Sequence, residues 1–258
     1  MALLKLDNTV MRFGGLTAVN NFSTEISDNE LCALIGPNGS GKTTIFNIIT
    51  GIYTPTSGSI RFNGTEITGM RPDLITKLGI ARTFQNIRLF KGLNVVENVE
   101  VGHHLRLKSD PMSAILSLPG YKEEEANIRK EALELLGSLD LAHLAYDVAT
   151  SLPYGQQRKL EIARALATRP RLLLLDEPAA GMNPKEAEEL MQFILHVLET
   201  FKISVFLIEH QMRVVMGICP RIIVIDHGET IAEGTPEEIQ NNNRVIEAYL
   251  GVDDYAGN

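Results

Sequence analysis

The stretch LCALIGPNGSGKTTIFNIIT, residues 31–50, decides the fold of this chain of 258 residues. Its first part, LCALI, is a short apolar run typical of a buried strand, and its last part, TTIFNIIT, is typical of a helix that ends before Gly51. Between them, GPNGSGKT fits the pattern G-x-x-x-x-G-K-[ST] from Gly36 to Thr43. Glycines allow the backbone to curl so that its N–H groups converge on phosphate oxygens at the start of a helix. The sequence therefore predicts a phosphate-binding loop between a strand and a helix.

Two side chains of this loop carry the chemistry that a nucleoside triphosphate and its metal ion need. Lys42 supplies a positive charge toward the β- and γ-phosphates, and the hydroxyl of Thr43 can ligate Mg²⁺. The alternative is a glycine-rich turn with an exposed lysine. We expect the whole loop to bind the nucleotide through residues Gly36, Asn38, Gly39, Ser40, Gly41, Lys42, Thr43 and Thr44.

A second chemical feature, LLLLDEP, covers residues 172–178. Asp176 ends an apolar strand, which would place its carboxylate beside the phosphate loop, where it can hold Mg²⁺ directly or through water. Glu177 comes next and is well placed to orient or deprotonate an attacking water. Taken alone, Asp-Glu-Pro could also be a junction between a strand and a turn. Together with GPNGSGKT, it predicts a site that hydrolyses a nucleoside triphosphate.

The composition is that of an ordinary globular protein and limits the classes of function. Hydrophobic residues make up 44% of the chain and charged residues 22%, so a disordered chain is not expected. The formal net charge of −8 argues against nucleic acid as the main partner. The N-terminus does not look like a secretory signal, and no apolar run approaches the roughly 20 residues of a membrane span. We therefore expect an intracellular protein whose Cys32 and Cys219 are reduced core residues.

The pattern of apolar and turn residues divides the chain into three regions. Residues 1–35 are rich in predicted strands, and residues 91–150 form a helical insertion that is interrupted by SDPMSAILSLPG. After the insertion, the strands RLLLLD, ISVFLI and RIIVID follow one another with a helix predicted over 185–200, which is typical of a parallel sheet. The predicted cap of that helix consists of Asn183, Pro184 and Glu186.

The stretch SLPYGQQRKLEIARAL, residues 151–166, predicts a helix with an unusual entrance. Its charged residues share one face of the predicted helix and its apolar residues share another. The charged set is Arg158, Glu161 and Arg164, and the apolar set is Leu160, Ala163 and Ala167. A proline and a tyrosine precede Gly155 at the entrance. This entrance is either a plain helix cap or a surface that contacts a phosphate.

The order of these motifs resembles the ATP-binding-cassette family over essentially the whole chain. The chain contains, in the order found in that family, GPNGSGKT, Gln85, a degenerate signature at LPYGQQ, LLLLDEP and His210. The resemblance implies an α/β fold with a RecA-like P-loop core, an N-terminal antiparallel β subdomain and an inserted α-helical subdomain. It implies one ABC ATPase domain over 1–258. The catalytic core with its β subdomain would be formed by 1–87 and 158–258, and the helical subdomain, ending in the signature, by 88–157.

The resemblance also assigns roles to single residues outside the phosphate loop. Phe13 matches the aromatic that stacks on adenine, although it could be an ordinary core residue of a strand. Gln85 matches the glutamine that reaches Mg²⁺ and the attacking water, although it could be a plain loop amide. His210 matches the histidine that contacts the γ-phosphate, although a histidine after an apolar strand is usually structural. Together with Glu177 and Lys42, Gln85 and His210 form the expected catalytic set.

The signature is the part of the family pattern that acts between two subunits. It implies that Tyr154, Gly155 and Gln156 contact the γ-phosphate of ATP bound to the other subunit. The loop AAGMNP, 179–184, matches the loop that crosses the dimer interface, but Asn183 stands where the family usually has aspartate. That difference leaves the capping role of Asn183 and puts a charged role of the loop in doubt. His103 and His104 have no such context, and we expect them to be solvated helix residues.

Within the family, the chain is similar to the ATPase subunits of branched-chain amino acid importers. YGQQRKLEIARAL, DEPAAGMNP and IEHQMRVVM carry this similarity. It implies ATP and Mg²⁺ as ligands, a second cassette as homo- or heterodimer partner, and integral membrane permease subunits. It also implies an indirect partnership with a periplasmic or extracellular solute-binding protein. The expected place is the cytoplasmic face of the inner (plasma) membrane, as a peripheral subunit, with no role for nucleic acid.

Two alternatives to this function remain open at the level of sequence. One is a cassette that serves another solute, namely an amide, urea or lipopolysaccharide. The other is a regulatory ABC ATPase that has no role in transport. A further open point is the segment that would contact membrane subunits, because its apolar residues could equally be core. That segment comprises Arg88, Leu89, Phe90, Val95 and Val96.

Overall fold

The computed structural model describes residues 2–103, 105 and 119–250. The strands are β1 (Leu4–Phe13), β2 (Leu16–Ile26), β3 (Leu31–Ile35), β4 (Ser57–Phe62), β5 (Thr65–Glu66), β6 (Ile80–Arg82), β7 (Leu172–Asp176), β8 (Ser204–Ile208), β9 (Arg221–Asp226) and β10 (Glu229–Gly234). The helices are α1 (Lys42–Ile49), α2 (Pro72–Leu78), α3 (Val95–His103), α4 (Pro119–Ser138), α5 (Tyr154–Leu166), α6 (Pro184–Phe201), α7 (Met212–Ile218), α8 (Pro236–Gln240) and α9 (Asn243–Leu250). None of the helices in this part combines the length and the apolar character that a membrane crossing requires.

A six-stranded sheet in the order β10-β9-β3-β8-β7-β6 forms the centre of the molecule. The pairs of β3 with β8 and β9, and of β7 with β6 and β8, are parallel, as the alternation of strands and helices predicted. Every residue of β3, β7 and β8 is buried, because the sheet is covered on both faces. The carboxyl ends of these three strands meet at one edge, and a ligand of a parallel sheet binds at such an edge.

Successive residues of the central strands belong to two hydrophobic cores, one on each face of the sheet. Cys32 and Leu34 pack on one side of the sheet and Ala33 and Ile35 on the other, because side chains alternate along a strand. The first core is shared with a four-stranded antiparallel sheet in the order β2-β1-β4-β5. This second sheet confirms the strand-rich N-terminal region and the antiparallel β arrangement that the resemblance implied.

The second core joins the sheet to the helices of the insertion. Val95 and Val96 of α3 are 1% and 0% exposed and belong to this core, so the core interpretation holds for these two residues. Phe90 remains 48% exposed, which leaves it on the surface beside α5. The predicted interruption SDPMSAILSLPG covers residues 109–120, of which 109–118 lie outside the described residues.

Helix α6 has the cap that the sequence predicted. The Asn183 side-chain oxygen accepts hydrogen bonds from the backbone N–H groups of Lys185 and Glu186, both at 3.0 Å. The Glu186 carboxylate accepts a bond from the backbone N–H of Asn183 in return, also at 3.0 Å. This capping box fixes where the loop after Glu177 ends and the helix begins.

The two cysteines are free and buried, as predicted for core residues. Cys32 is on β3 and Cys219 follows α7. Burial raises the pKa of Cys219 to about 12, because the thiolate would lose its hydration. Both side chains therefore act as small apolar residues of the core.

His103 corrects an expectation, because it is not solvated. It is 7% exposed, and its Nδ1 lies 3.3 Å from a carboxylate oxygen of Glu131 on α4. The close packing of α3 against α4 and α5 covers the ring. His104 lies outside the described residues.

The contact between α3 and α5 depends on Gly102. A Cβ at this position would lie 2.4 Å from the backbone oxygen of Arg164 and 2.8 Å from the Cβ of Ala167. We expect Gly102→Ala to lower the free energy of unfolding by about 1–3 kcal/mol, because helix α5 must move away. Gly137→Ala is the matched control, since a Cβ there meets nothing within 4 Å in the described structure, and it should raise the same quantity by up to about 1 kcal/mol. Equal shifts of the two urea midpoints would contradict the tight helix contact.

Candidate functional site

The phosphate loop connects the end of β3 to the start of α1 through backbone conformations that favour glycine. Gly39 and Gly41 have φ of 81° and 108°, in the left-handed region. A Cβ on Gly36 would lie 2.0 Å from the backbone oxygen of Ile225, so no side chain fits between β3 and β9. The loop therefore curls over the carboxyl edge of the sheet and leads directly into α1.

Lys42 is folded back over the loop that precedes it. Its side-chain nitrogen donates hydrogen bonds to the backbone oxygens of Gly36 at 2.7 Å and Pro37 at 2.9 Å, and the residue is only 6% exposed. Burial lowers the pKa of Lys42, while the carboxylates of Glu177 and Asp176 raise it. A cation is thus held at the mouth of the loop, within the field of the two predicted carboxylates.

A cavity of about 340 Å³ opens beside the loop and brings most of the predicted nucleotide-binding residues together. Its lining comprises Phe13, Leu16, Ala18, Asn38, Gly39, Gly41, Lys42, Thr43, Thr44 and Glu177. Phe13 is 41% exposed at the end of β1 and packs edge-on against Tyr53 at a ring distance of 5.2 Å, so it is not an ordinary core residue. Ser40 lines a neighbouring cavity with Asn38 and Gly39.

Asp176 lies at the end of β7, where its carboxylate is paired with Arg82. The side-chain nitrogen of Arg82 is 2.6 Å from Asp176 Oδ2, and both side chains are 5% exposed. Arg82 also donates a hydrogen bond to the side-chain oxygen of Asn47 on α1 at 2.7 Å. Sequence reasoning missed Arg82, because a lone arginine at the end of a short strand carries no recognisable pattern. The arginine joins β6, β7 and α1 beneath the phosphate loop.

Glu177 is the point at which the predicted catalytic residues meet. Its Oε2 accepts a hydrogen bond from the Gln85 amide at 2.8 Å and lies 3.6 Å from His210 Nδ1. The residue has a φ of 47°, a conformation that a side chain other than glycine adopts at a cost of about 1–3 kcal/mol. Gln85 lies 92 positions before Glu177 in the sequence and His210 lies 33 positions after it. The fold thus brings both side chains to one carboxylate.

The signature residues do not reach this site in their own chain. Helix α5 begins at Tyr154 with Pro153 at its cap position and no side-chain cap, and the Tyr154 hydroxyl bonds to the backbone oxygen of Ala180 at 3.1 Å. A Cβ on Gly155 would meet nothing within 4 Å in the described structure. Tyr154, Gly155 and Gln156 are absent from the described lining of the cavity at the phosphate loop. The start of α5 is therefore an open surface.

The charged face of α5 points inward. Arg158 is 0% exposed and donates hydrogen bonds to the backbone oxygens of Phe84 and Gln85, each at 2.7 Å. Its guanidinium also lies 2.7 Å from the carboxylate of Glu161, which is 1% exposed. An amphipathic pattern normally places charges in water, but here these charges satisfy the backbone of the segment that carries Gln85.

Glu161 and Arg164 extend this contact to Arg88. The Glu161 carboxylate accepts a hydrogen bond from the backbone N–H of Arg88 at 3.1 Å, and Arg164 donates to the backbone oxygen of the same residue. Burial raises the pKa of Glu161, and Arg158 opposes this shift. The segment 84–88 is thereby bonded to α5 at each end. Sequence reasoning named these three charged residues but did not find this role.

Comparison with known proteins assigns the family. The sequence model of the ABC transporter family matches residues 19–180, and that of the branched-chain amino acid ATP-binding cassette transporter matches residues 229–255. The chain is 45% identical over 249 residues to the high-affinity branched-chain amino acid transport ATP-binding protein BraF of Pseudomonas aeruginosa, across 96% of this chain and 98% of BraF. It is 46% identical to LivG of Salmonella typhimurium over 249 residues, with the same shares of 96% and 98%.

Solved structures support the same assignment. A nucleotide-free ATP-binding cassette from an ABC transporter has a TM-score of 0.84 and 32% identity, covering 97% of this chain and 100% of that chain. A dimeric cassette in a post-hydrolysis state, bound to ADP and Pi, has a TM-score of 0.73 and 29% identity, covering 90% and 98%. The chain belongs to the ABC transporter family. Within that family it is an ATP-binding cassette, and therefore an ATPase with the fold that the order of its motifs predicted.

Proposed function

We propose that this ABC ATPase hydrolyses ATP with Glu177 as the base, in a site that two copies of a cassette complete together. The observation that supports this most directly is the position of Glu177. Its carboxylate lines the cavity at the phosphate loop and contacts both Gln85 and His210. A carboxylate in such a place can accept a proton from a water that attacks the terminal phosphate.

The binding part of the site lies on the phosphate loop and β1. The backbone N–H groups of the phosphate loop, other than Pro37, would bind the phosphates, and Lys42 would turn its ammonium from the loop carbonyls toward the β- and γ-phosphates. Phe13, exposed at the edge of the cavity, stacks on the adenine. These contacts belong to one chain, so a single cassette can bind ATP.

Three oxygen donors at this edge of the sheet fit Mg²⁺. The Asp176 carboxylate, the Thr43 hydroxyl and the Gln85 amide oxygen are hard ligands of the kind this ion prefers. The Asp176 side chain is 5% exposed and its charge raises the pKa of Lys42, as a metal-binding aspartate beside a phosphate loop would. When bound, the ion neutralises charge on the β- and γ-phosphates.

Hydrolysis would require a different role from each of Glu177, Gln85 and His210. Glu177 Oε2 takes the proton of the attacking water, and the Gln85 amide, which donates to the same carboxylate, fixes its orientation. His210, half exposed on the other side of Glu177, is free to point its ring at the γ-phosphate. This proposal separates residues that bind nucleotide from residues that determine turnover.

The second half of the site comes from the partner cassette. Tyr154 is exposed and Gly155 and Gln156 are partly exposed at the start of α5, whose positive end can face the partner's γ-phosphate. Pro153 provides neither hydroxyl nor N–H, so Gly155 and Gln156 make the contact. We assign residues 88–157 to a helical subdomain that carries this surface, and 1–87 with 158–258 to the catalytic core. Helix α5 begins in the helical subdomain at Tyr154 and continues into the core, where its Arg158 bonds to the backbone of Phe84 and Gln85.

Glu177→Gln and Lys42→Ala should affect different quantities. Glu177→Gln should retain ATP binding and lower kcat by roughly 10²–10⁴-fold, because the base is lost. Lys42→Ala should weaken nucleotide binding itself by about 10–100-fold, since a charged partner of the phosphates is removed. Calorimetric titration with ATP and a phosphate-release assay measure the two effects. Near-normal hydrolysis by Glu177→Gln, or unchanged ATP affinity of Lys42→Ala, would refute the respective role.

Gly155→Asp tests the two-subunit site. The open space around Gly155 means that an aspartate should not disturb the single chain, but its carboxylate would repel the partner's γ-phosphate. We expect loss of hydrolysis and of ATP-driven dimerisation, with ATP affinity of the single chain nearly unchanged. Pro153→Ser is the control and should keep activity. Sedimentation with ATP, in the Glu177→Gln background, measures dimerisation. Normal hydrolysis by Gly155→Asp would show that residues 151–157 are only a helix cap.

We further propose that the cassette energises the import of branched-chain amino acids. The relatives BraF and LivG, similar over nearly the whole chain, are named for this transport. The partners would be integral membrane permease subunits and, indirectly, a solute-binding protein. The cassette would lie at the cytoplasmic face of the membrane as a peripheral subunit. Arg88 and Phe90 are exposed and Leu89 is partly buried, so these three residues are the part of the expected docking segment that remains on the surface.

Uptake by whole cells tests the solute. Replacing the chromosomal copy by the Glu177→Gln variant should abolish high-affinity uptake of radiolabelled leucine, isoleucine and valine, because closed cassettes cannot reopen. Proline uptake through unrelated carriers is the control. Loss of amide or urea uptake, or of lipopolysaccharide export, with leucine uptake intact would instead support a cassette for another solute. A regulatory ATPase would leave all of these unchanged.

A further inference from the structure

Glu209 is a buried carboxyl group that the hydrolysis described above does not use. It follows β8, precedes His210 and is 0% exposed. Its two oxygens accept hydrogen bonds from backbone N–H groups, from Ala179 at 2.8 Å and from His210 at 3.2 Å. Burial raises the pKa of Glu209, and these backbone bonds oppose the shift. Burying a carboxyl group costs free energy unless hydrogen bonds compensate, and here the compensating bonds come from the backbones of two different loops.

The bonds of Glu209 are part of a set that connects two loops. Glu177 donates its backbone N–H to the oxygen of Ile208 at 2.9 Å. The Gln211 amide donates to the backbone oxygen of Ala179 at 3.0 Å. The backbone of Ala179 is thus held on both sides, its N–H by Glu209 and its oxygen by Gln211. The loop after β7 and the loop after β8 therefore form one bonded unit.

This unit carries the two side chains whose separation matters for hydrolysis. Glu177 and His210 approach to 3.6 Å, yet the His210 side chain is 48% exposed and has little packing to hold it. Its position must be set mainly through its own backbone. The backbone N–H of His210 is bonded to Glu209, and the same carboxyl group reaches the loop that begins at Glu177.

We infer that Glu209 is a positioning residue that fixes His210 relative to Glu177 by bridging the backbones of Ala179 and His210. Gln211 supports the bridge from the other side of Ala179. The inference rests on the roles proposed above for Glu177 and His210. It also connects the loop expected at the dimer interface, residues 179–184, to the histidine. A shift of that loop would therefore move His210.

Glu209→Gln is the sharpest variant, because it preserves volume and can satisfy only one of the two N–H groups. Whichever way the amide is oriented, its NH₂ group faces a backbone donor. We expect kcat to fall about 10–100-fold, as for a small displacement of a catalytic group, with the affinity for ATP within twofold. Phosphate release and calorimetry on the full chain measure the two quantities. Gln211→Leu should also lower kcat, by a smaller factor. It provides a second variant if Glu209→Gln folds poorly.

Ser204→Ala is the matched control. Ser204 lies at the other end of β8, is also 0% exposed, and donates to the backbone oxygen of Ser27 at 2.8 Å, far from the site. Its loss should lower the melting temperature and leave kcat unchanged. If Glu209→Gln and Ser204→Ala both lowered kcat in proportion to their loss of melting temperature, the role of Glu209 would be only structural.

A double-mutant cycle with His210→Ala separates the inference from the proposed function. If Glu209 acts through His210, Glu209→Gln should cause no further loss of kcat in the His210→Ala background. A full additional loss there, or unchanged kcat of Glu209→Gln alone, would overturn the inference while leaving the role of His210 intact. Unchanged kcat of His210→Ala would instead overturn the role of His210, and the inference with it.

Discussion

The close approach of Gly36 to β9 is the constraint on which the rest of the site depends. With a Cβ only 2.0 Å from the oxygen of Ile225, no other residue could leave β3 at this angle. The turn that follows places the start of α1 over the carboxyl edge of the sheet. Lys42, Asp176 and Glu177 can share one electrostatic environment because β3, which leads into the loop before Lys42, and β7, which ends at Asp176, both run parallel to β8.

Buried charges tie the elements of this edge together. Arg82 with Asp176, Arg158 with Glu161, and Glu209 each lie at 5% exposure or less and each bond to a second element. Such groups contribute little net stability, but removing one partner typically costs about 3–5 kcal/mol because the other is left uncompensated. The main effect of these buried groups is on the geometry of the site. They fix loops that hydrophobic packing alone would leave free, since those loops lie at the edge of the core.

Two of these networks act on the same carboxylate from opposite sides. Arg158 holds the backbone of Gln85, whose amide bonds to Glu177, and it extends from the helix whose start would face the partner. Glu209 holds the backbone of His210 on the other side. Bonds thus connect Glu177 and its neighbours to two surfaces expected at the dimer interface, the start of α5 and the loop 179–184. This arrangement would let a cassette bind ATP alone and hydrolyse it only when paired.

The sequence by itself determined the fold class, the phosphate loop, the strand ending at Asp176 and the cap at Asn183, because each follows from local rules. A glycine-rich turn between strand and helix, a run of apolar residues, and a cap of fixed spacing need no distant partner. Only the tertiary structure decided that Arg158 and Glu161 point inward, that His103 is buried, that Arg82 pairs with Asp176, and that Glu209 bonds to the backbones of Ala179 and His210. Each of these depends on which backbone group lies opposite across the fold. Periodicity reports only that a face is charged, and the partner that makes the burial of that charge favourable comes from segments tens of residues away.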